Sequence, residues 1–232
     1  MANHAYISVW CNGFSEETML GLYERLLATA PFSEKKPGFT ELVIRPVSSA
    51  ETPLIECDFR LHPLVATELV AAARDHINRD SAYEAAAHWD LWAWAAVAGS
   101  APASAELGWQ LTPQPLEIAC YGQDYDEGIA AESGHFRVDL GFEHFFTGHA
   151  HLLGAELQAV PAAADPAEEP FLGAMADPAN RNLYHQKTAA NIQKLMDWLR
   201  RIREALPVSR DVVWSEGEEN FEARLDEILA VR

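Results

Sequence analysis

His-Phe-Arg-Val-Asp-Leu at residues 135–140 is the stretch on which the fold turns. Strand side chains alternate between the two faces of a sheet, so Phe136, Val138 and Leu140 share one face and His135, Arg137 and Asp139 the other. A strand with one apolar and one polar face belongs to an antiparallel or mixed sheet, since a fully buried parallel strand would be apolar throughout. Residues 116–121, Leu-Glu-Ile-Ala-Cys-Tyr, alternate less cleanly and have Pro113, Pro115 and Gly122 at their flanks; they read as its antiparallel neighbour. Residues 88–94, His-Trp-Asp-Leu-Trp-Ala-Trp, add a third strand with Trp89 and Leu91 on one side and His88, Asp90, Trp92 and Trp94 on the other. Large aromatics on both faces imply a sheet at least partly covered on both.

Outward from these strands, residues 4–11 read as a strand. Ser15, Glu16 and Glu17 then open an amphipathic helix through Met19, Leu22, Tyr23 and Leu26 that Pro31 ends. Two strands follow within residues 39–47 and 53–61, then a helix after Pro63 with Val65, Leu69, Ala72, Ala73 and Ile77 on one face. Up to residue 97 the order is strand, helix, strand, strand, helix, strand, which is the order of a ferredoxin-like split unit. Residues 109–158 read as added strands, 159–180 as a linker or wrapped surface loop rich in Ala, Pro and acid, and 181–232 as helix, strand, helix. The expectation is a single α+β domain with a mixed or mainly antiparallel sheet of about six to eight strands and flanking helices.

Composition narrows the function classes. A net charge of −18 disfavours nucleic acid and anionic membrane as partners, because both select clustered positive charge. No run approaches the roughly 20 apolar residues that span a bilayer, and the first ten residues carry no signal-peptide pattern, so the expected location is cytoplasmic. Cys11, Cys57 and Cys120 lie far apart, in no metal-ligand spacing, and read as small buried apolar residues. The chain has no nucleophile elbow, phosphate loop or dinucleotide fingerprint.

Two sets of residues are candidates for chemistry. His88, Asp90, His135, Arg137 and Asp139 fall on polar strand faces, and if those faces join they supply proton carriers, orienting carboxylates and an anion clamp. The competing reading is a solvated face whose charges pair across strands. His144, His149 and His151 form the second set: His149 and His151 point the same way on a strand and, with His144, can bind a divalent metal. Two functions follow from these features. The first is a non-enzymatic acidic protein that binds and neutralises a basic protein partner, of the immunity type, with an acidic loop containing Asp124, Asp126, Glu127 and Glu132. The second is a metal-assisted or acid/base enzyme acting on a small polar substrate.

Overall fold

The computed structural model describes residues 3–96, 107–149, 152–153 and 168–231. Its elements run β1 (His4–Cys11), α1 (Glu16–Leu27), β2 (Glu41–Pro46), β3 (Ile55–Asp58), α2 (Ala66–Ala73), β4 (Ser81–Ala96), β5 (Leu107–Tyr121), α3 (Ala130–Ser133), β6 (Phe136–Phe142), α4 (His144–Thr147), α5 (Glu169–Met175), α6 (Pro178–Ala205), β7 (Val208–Ser215) and α7 (Phe221–Ala230). Among the described residues seven strands form one sheet in the order β3-β2-β4-β5-β6-β1-β7, and every neighbouring pair is antiparallel. The fold is therefore α+β with an antiparallel sheet, as the alternation at 135–140 predicts.

The ferredoxin-like start is corrected. The βαββαβ order is present along the chain, but a split unit leaves one strand between the two that a helix joins. Only β3 and β4 obey this, flanking β2 and running parallel to each other. β1 and β2, joined by α1, are separated by β4, β5 and β6. The cause is the long hairpin of β4 and β5, paired from Ala82↔Tyr121 to Ala96↔Leu107, which takes the edge of β4 and hands the next place to β6. The same split arrangement recurs at the other end, where β6 and β7 flank β1.

β5 starts well before the expected strand and runs through Pro113 and Pro115, read from sequence as flanking turn residues. Its geometry accommodates them. The amide of Tyr121 donates towards β6, to the His135 carbonyl at 2.9 Å, so residues of the same parity direct their amides to that side. β6 pairs with β5 only over Glu117–Cys120 in register with Asp139–Phe136. The ladder with β6 does not extend to 113 and 115, so proline there removes no pairing hydrogen bond.

One face of the sheet carries Ile7, Val9, Leu42, Ile44, Tyr83, Trp89, Ile118, Phe136 and Val138, all buried, and α1, α2, α6 and α7 pack over it in one layer. Tyr23 on α1 is buried there and donates its hydroxyl to the Ile118 carbonyl at 2.6 Å, while the Trp198 indole on α6 donates to Thr29 Oγ1 at 2.9 Å. The three cysteines are free, with Cys11 and Cys120 buried, and burial pushes the Cys11 thiol up to about 11.

Residues 168–180, expected to be linker, hold α5 and the start of α6. The Asp177 carboxylate accepts the Ala179 amide at 2.9 Å, and Pro178 occupies the first helical position, where no amide is needed. Leu172 and Met175 bury the short α5 against α6. At the C-terminal end Ser215 and Glu218 make a turn, with Glu218 N donating to Ser215 Oγ at 3.0 Å, but α7 itself begins only at Phe221. Among the described residues no helix is long and apolar enough to cross a membrane.

Beyond Ala86 on β4 and Glu117 on β5 the hairpin continues as a two-stranded ribbon past its flanking strands. The outer edge of β4 would there expose unpaired backbone. Other elements satisfy it: Ser33 N donates to the His88 carbonyl at 2.7 Å and Lys194 Nζ to the Asp90 carbonyl at 2.8 Å. The Asn191 side chain accepts from Trp92 N at 2.8 Å and donates to Trp92 O at 3.0 Å, as a neighbouring strand would.

Candidate functional site

Three regions hold the residues singled out by the sequence. On the sheet face away from the helices, register aligns Glu117 of β5, Asp139 of β6, Tyr6 of β1 and Trp214 of β7, with Glu84, Ala119, Arg137 and Ser8 in the next row. Among the described residues this face is covered at one end by Tyr125, Ile129 and Ala130, which pack on Ala82, Ala119 and Tyr121, and at the ribbon end by Phe171 and Tyr184, which pack on Trp94 and Trp109. Arg137 lies over the rings of Tyr6 and Tyr121, 5.8 and 5.3 Å from their centroids, and Tyr6 stacks on Trp214 at 4.4 Å. Asp139 receives His4 Nδ1 at 2.9 Å and the Gly141 amide at 2.8 Å. The Arg45 guanidinium pairs with Glu84 at 3.0 Å. Glu117 stands amid this group, and its carboxyl is pushed above the usual carboxylate range, first by desolvation and then by the carboxylates of Glu84 and Asp139, with Arg137 pulling the other way.

The rest of the first candidate set lies elsewhere. His88 is in register with Pro115, and His135 with Tyr121. That is a six-residue offset along the sheet, about 20 Å at the usual rise per residue, so the two imidazoles do not share a proton site. His88 Nε2 lies 3.3 Å from Lys36 Nζ, and its Nδ1 is buried without a partner. Asp90 accepts Ser33 Oγ at 2.7 Å and Glu34 N at 2.9 Å, which fixes the turn after α1. His135 stacks on Phe14 at 4.1 Å, and its Nδ1 accepts the Cys11 amide at 3.0 Å, closing the end of β1. Arg137 and Asp139 do share a face, but the imidazole that reaches Asp139 is that of His4. Alternation in residues 4–11 already places His4 and Tyr6 on one face; what the sequence lacks is that β1 lies beside β6.

The second region is a corner beside the open face. Among the described residues Val47, Asp126 and Glu127 are the non-glycine residues with positive φ, at +60°, +48° and +57°. Val47 N donates to the Asp80 carbonyl and Asp126 N to the Val47 carbonyl, both at 2.7 Å, and Ser49 Oγ donates to Asp126 at 3.3 Å. Val47 is nonetheless 56% exposed. Asp124 of the same loop is held by Arg79.

The third region is a cavity of about 520 Å³ at the far end of the β4–β5 ribbon. Trp94, Trp109, Tyr184 and Phe171 form a packed circuit of rings with successive centroids 5.4, 5.2, 5.4 and 6.1 Å apart. His144 and His149 line it as well, and both also line an adjoining polar cavity of about 260 Å³ with Glu143, Glu218 and Arg224. Gly148, at φ +80°, turns the chain between them, and a β-carbon there would meet the Leu153 side chain at 2.5 Å. The His149 amide donates to Tyr184 Oη at 2.6 Å, and His149 Nε2 lies 3.3 Å from Glu168 Oε1. Desolvation holds the His144 imidazole below its ordinary range, the nearby His149 adding to this and Glu143 opposing it. His151, the third member of the histidine set, lies outside the described residues. Among the described residues no three His, Cys, Asp or Glu side chains are grouped to hold a metal ion. Chemically, the described lining of the cavity offers aromatic surface, an imidazole whose burial disfavours protonation, and one carboxylate.

Sequence reading reached this cavity only through its histidines and Trp92 and Trp94. Trp109, Phe171 and Tyr184 come from a strand and two helices distant in the chain, and no local pattern joins them. In comparisons with known proteins, the chain matches no family model, no curated protein and no solved structure.

Proposed function

We propose that this chain is an acidic binding protein that docks a basic protein partner, in the manner of an immunity protein, through the corner of Val47, Asp126 and Glu127 and the adjoining open sheet face. The convergence of three left-handed non-glycine residues on one hydrogen-bonded corner carries the reading. A β-branched residue at positive φ is a true outlier, and backbone strain of this kind persists where surrounding structure holds it and gathers at binding surfaces. Here it presents an exposed valine between carboxylates, an apolar anchor within a negative field. The face next to it carries Glu84, Glu117 and Asp139, and the chain's net charge of −18 would steer a basic partner towards it.

The rival reading, a metal-assisted or acid/base enzyme built on His88, Asp90, His135, Arg137 and Asp139, has less support, because the offset of about 20 Å between the two imidazoles divides that set.

Affinity capture with the purified chain, followed by calorimetric titration of the captured protein, tests the proposal. A basic protein is expected whose association weakens with added salt. Converting Glu84, Asp126 and Glu127 to their amides is expected to weaken binding about tenfold, the sum of three rim charges each contributing a few tenths of a kcal/mol. Capture that returns no basic protein, or equal affinity for the amide variant, rejects the proposal.

A further inference from the structure

The aromatic cavity lies apart from the proposed docking corner, and its chemistry points to a different kind of ligand. We propose that it binds a methylated ammonium group, with the rings of Trp94, Trp109, Phe171 and Tyr184 as its walls and Glu168 as its counter-charge.

Four observations converge. The cavity, at about 520 Å³, is of the size that admits a small ligand, and its lining is mainly aromatic. Among the described residues no lysine or arginine lines it, and the one carboxylate, that of Glu168, lies 3.3 Å from His149 Nε2, so the formal charge this lining offers an occupant is negative. The indole nitrogens of Trp94 and Trp109 are buried away from solvent, which leaves their carbon surfaces as what the indoles offer to an occupant. A ring presents negative potential at its face, and a cation within about 6 Å of the centroid is attracted to it. The same wall already shows the interaction within the chain: Lys187 Nζ sits 3.2 Å from the centroid of Trp92, which also lines the cavity. A bare ammonium is strongly hydrated and loses that water at a cost, whereas a methylated one sheds it readily and matches an apolar aromatic wall.

Such a group has two sources, a free small molecule of the choline type or a methylated lysine on a protein. Calorimetric titration of the full chain with choline, with a peptide carrying trimethyl-lysine, and with the neutral choline analogue bearing a tert-butyl group tests the inference. At least one cation is expected to bind and to alter tryptophan fluorescence through Trp94 and Trp109. The neutral analogue is expected to bind about tenfold or more weakly, the difference being the cation's attraction to the rings and to Glu168. Whichever cation binds more tightly identifies the source. Glu168→Gln, and separately Phe171→Leu, which keeps apolar bulk, are expected to weaken the cation several-fold while the urea midpoint of Glu168→Gln stays close to that of the parent. Equal affinity for the neutral analogue would reduce the cavity to a plain apolar site and overturn the inference, as would no binding of either cation. Because Glu168 and Phe171 line a cavity away from the Val47 corner, loss here leaves the docking proposal standing, and the reverse holds too.

Discussion

Val47 is the residue whose conformation runs most against its chemistry. A left-handed backbone costs a residue with a β-carbon about 1–2 kcal/mol, and Val47 gains little in return because its side chain is more than half exposed. Glycine removes that cost but loses up to about 1 kcal/mol through the greater freedom of its unfolded chain. Val47→Gly is therefore expected to raise unfolding stability by roughly 0.5–1 kcal/mol, measured as an increased urea midpoint. A lowered midpoint would mean that the corner is not strained. At this scale the sequence was informative about direction and silent about partners. Alternation set Phe136, Val138 and Leu140 inward and Arg137 and Asp139 outward, and the structure agrees. His135, read as the first residue of that strand, sits at a bend just before it and serves the end of β1. That Asp139 is reached by His4, 135 positions away, depends on strand order, which no local pattern encodes.

Among the elements, α6 shows the same division. Its apolar stripe of Ile192, Leu195, Leu199 and Ile202 is legible at helical spacing and is buried as expected. Its other function, sealing the free edge of β4, rests on Asn191 and Lys194, which in the sequence look like ordinary polar positions. Asn191 is buried, and its amide serves Trp92 N, Trp92 O and Phe145 O. Asn191→Leu strands those groups; with each buried unpaired group costing about 1–3 kcal/mol, and partial relief from solvent, the expected loss is about 2–4 kcal/mol. The checks are a urea titration and faster hydrogen exchange at the Trp92 amide. Unchanged exchange at Trp92 would show that the ribbon edge does not depend on this side chain. The helical character of residues 169–175 was not legible for a related reason: α5 is seven residues long, too short for a helical period to stand out, and its position is set by the neighbour it packs on.

Across the whole molecule, desolvation holds His88, His135 and His144 below the ordinary imidazole range. In the unfolded chain these groups take up protons near pH 6.5, about their unperturbed value. The unfolded state therefore binds more protons below that point, so their contribution to stability is complete above it and falls as the pH drops. Glu117 acts in the opposite sense, because a raised carboxyl favours the fold when protonated, and relief of the −18 charge on acidification also favours it. A comparison of variants isolates the histidines: His144→Gln is expected to lose less stability than the parent between about pH 7.5 and about pH 5.5, the range spanning the ordinary imidazole value. Parallel stability profiles for parent and variant would remove His144 from the acid response.

The position of β1 between β6 and β7 also bears on how the chain is made. Ala5 pairs with Ser215, 210 positions later (215 − 5). At a synthesis rate of about 5–20 residues per second, β1 leaves the ribosome roughly 10–40 s before β7 exists to receive it. Over that interval a strand bearing Ile7, Val9 and Cys11 has at most one edge partner, whereas the β2–β3 hairpin, α2 and β4 can assemble from neighbouring residues as they emerge. The nascent chain would thus close its sheet from the β3 side towards β7, and β1, synthesised first, would be the strand that waits longest and most needs a chaperone's cover.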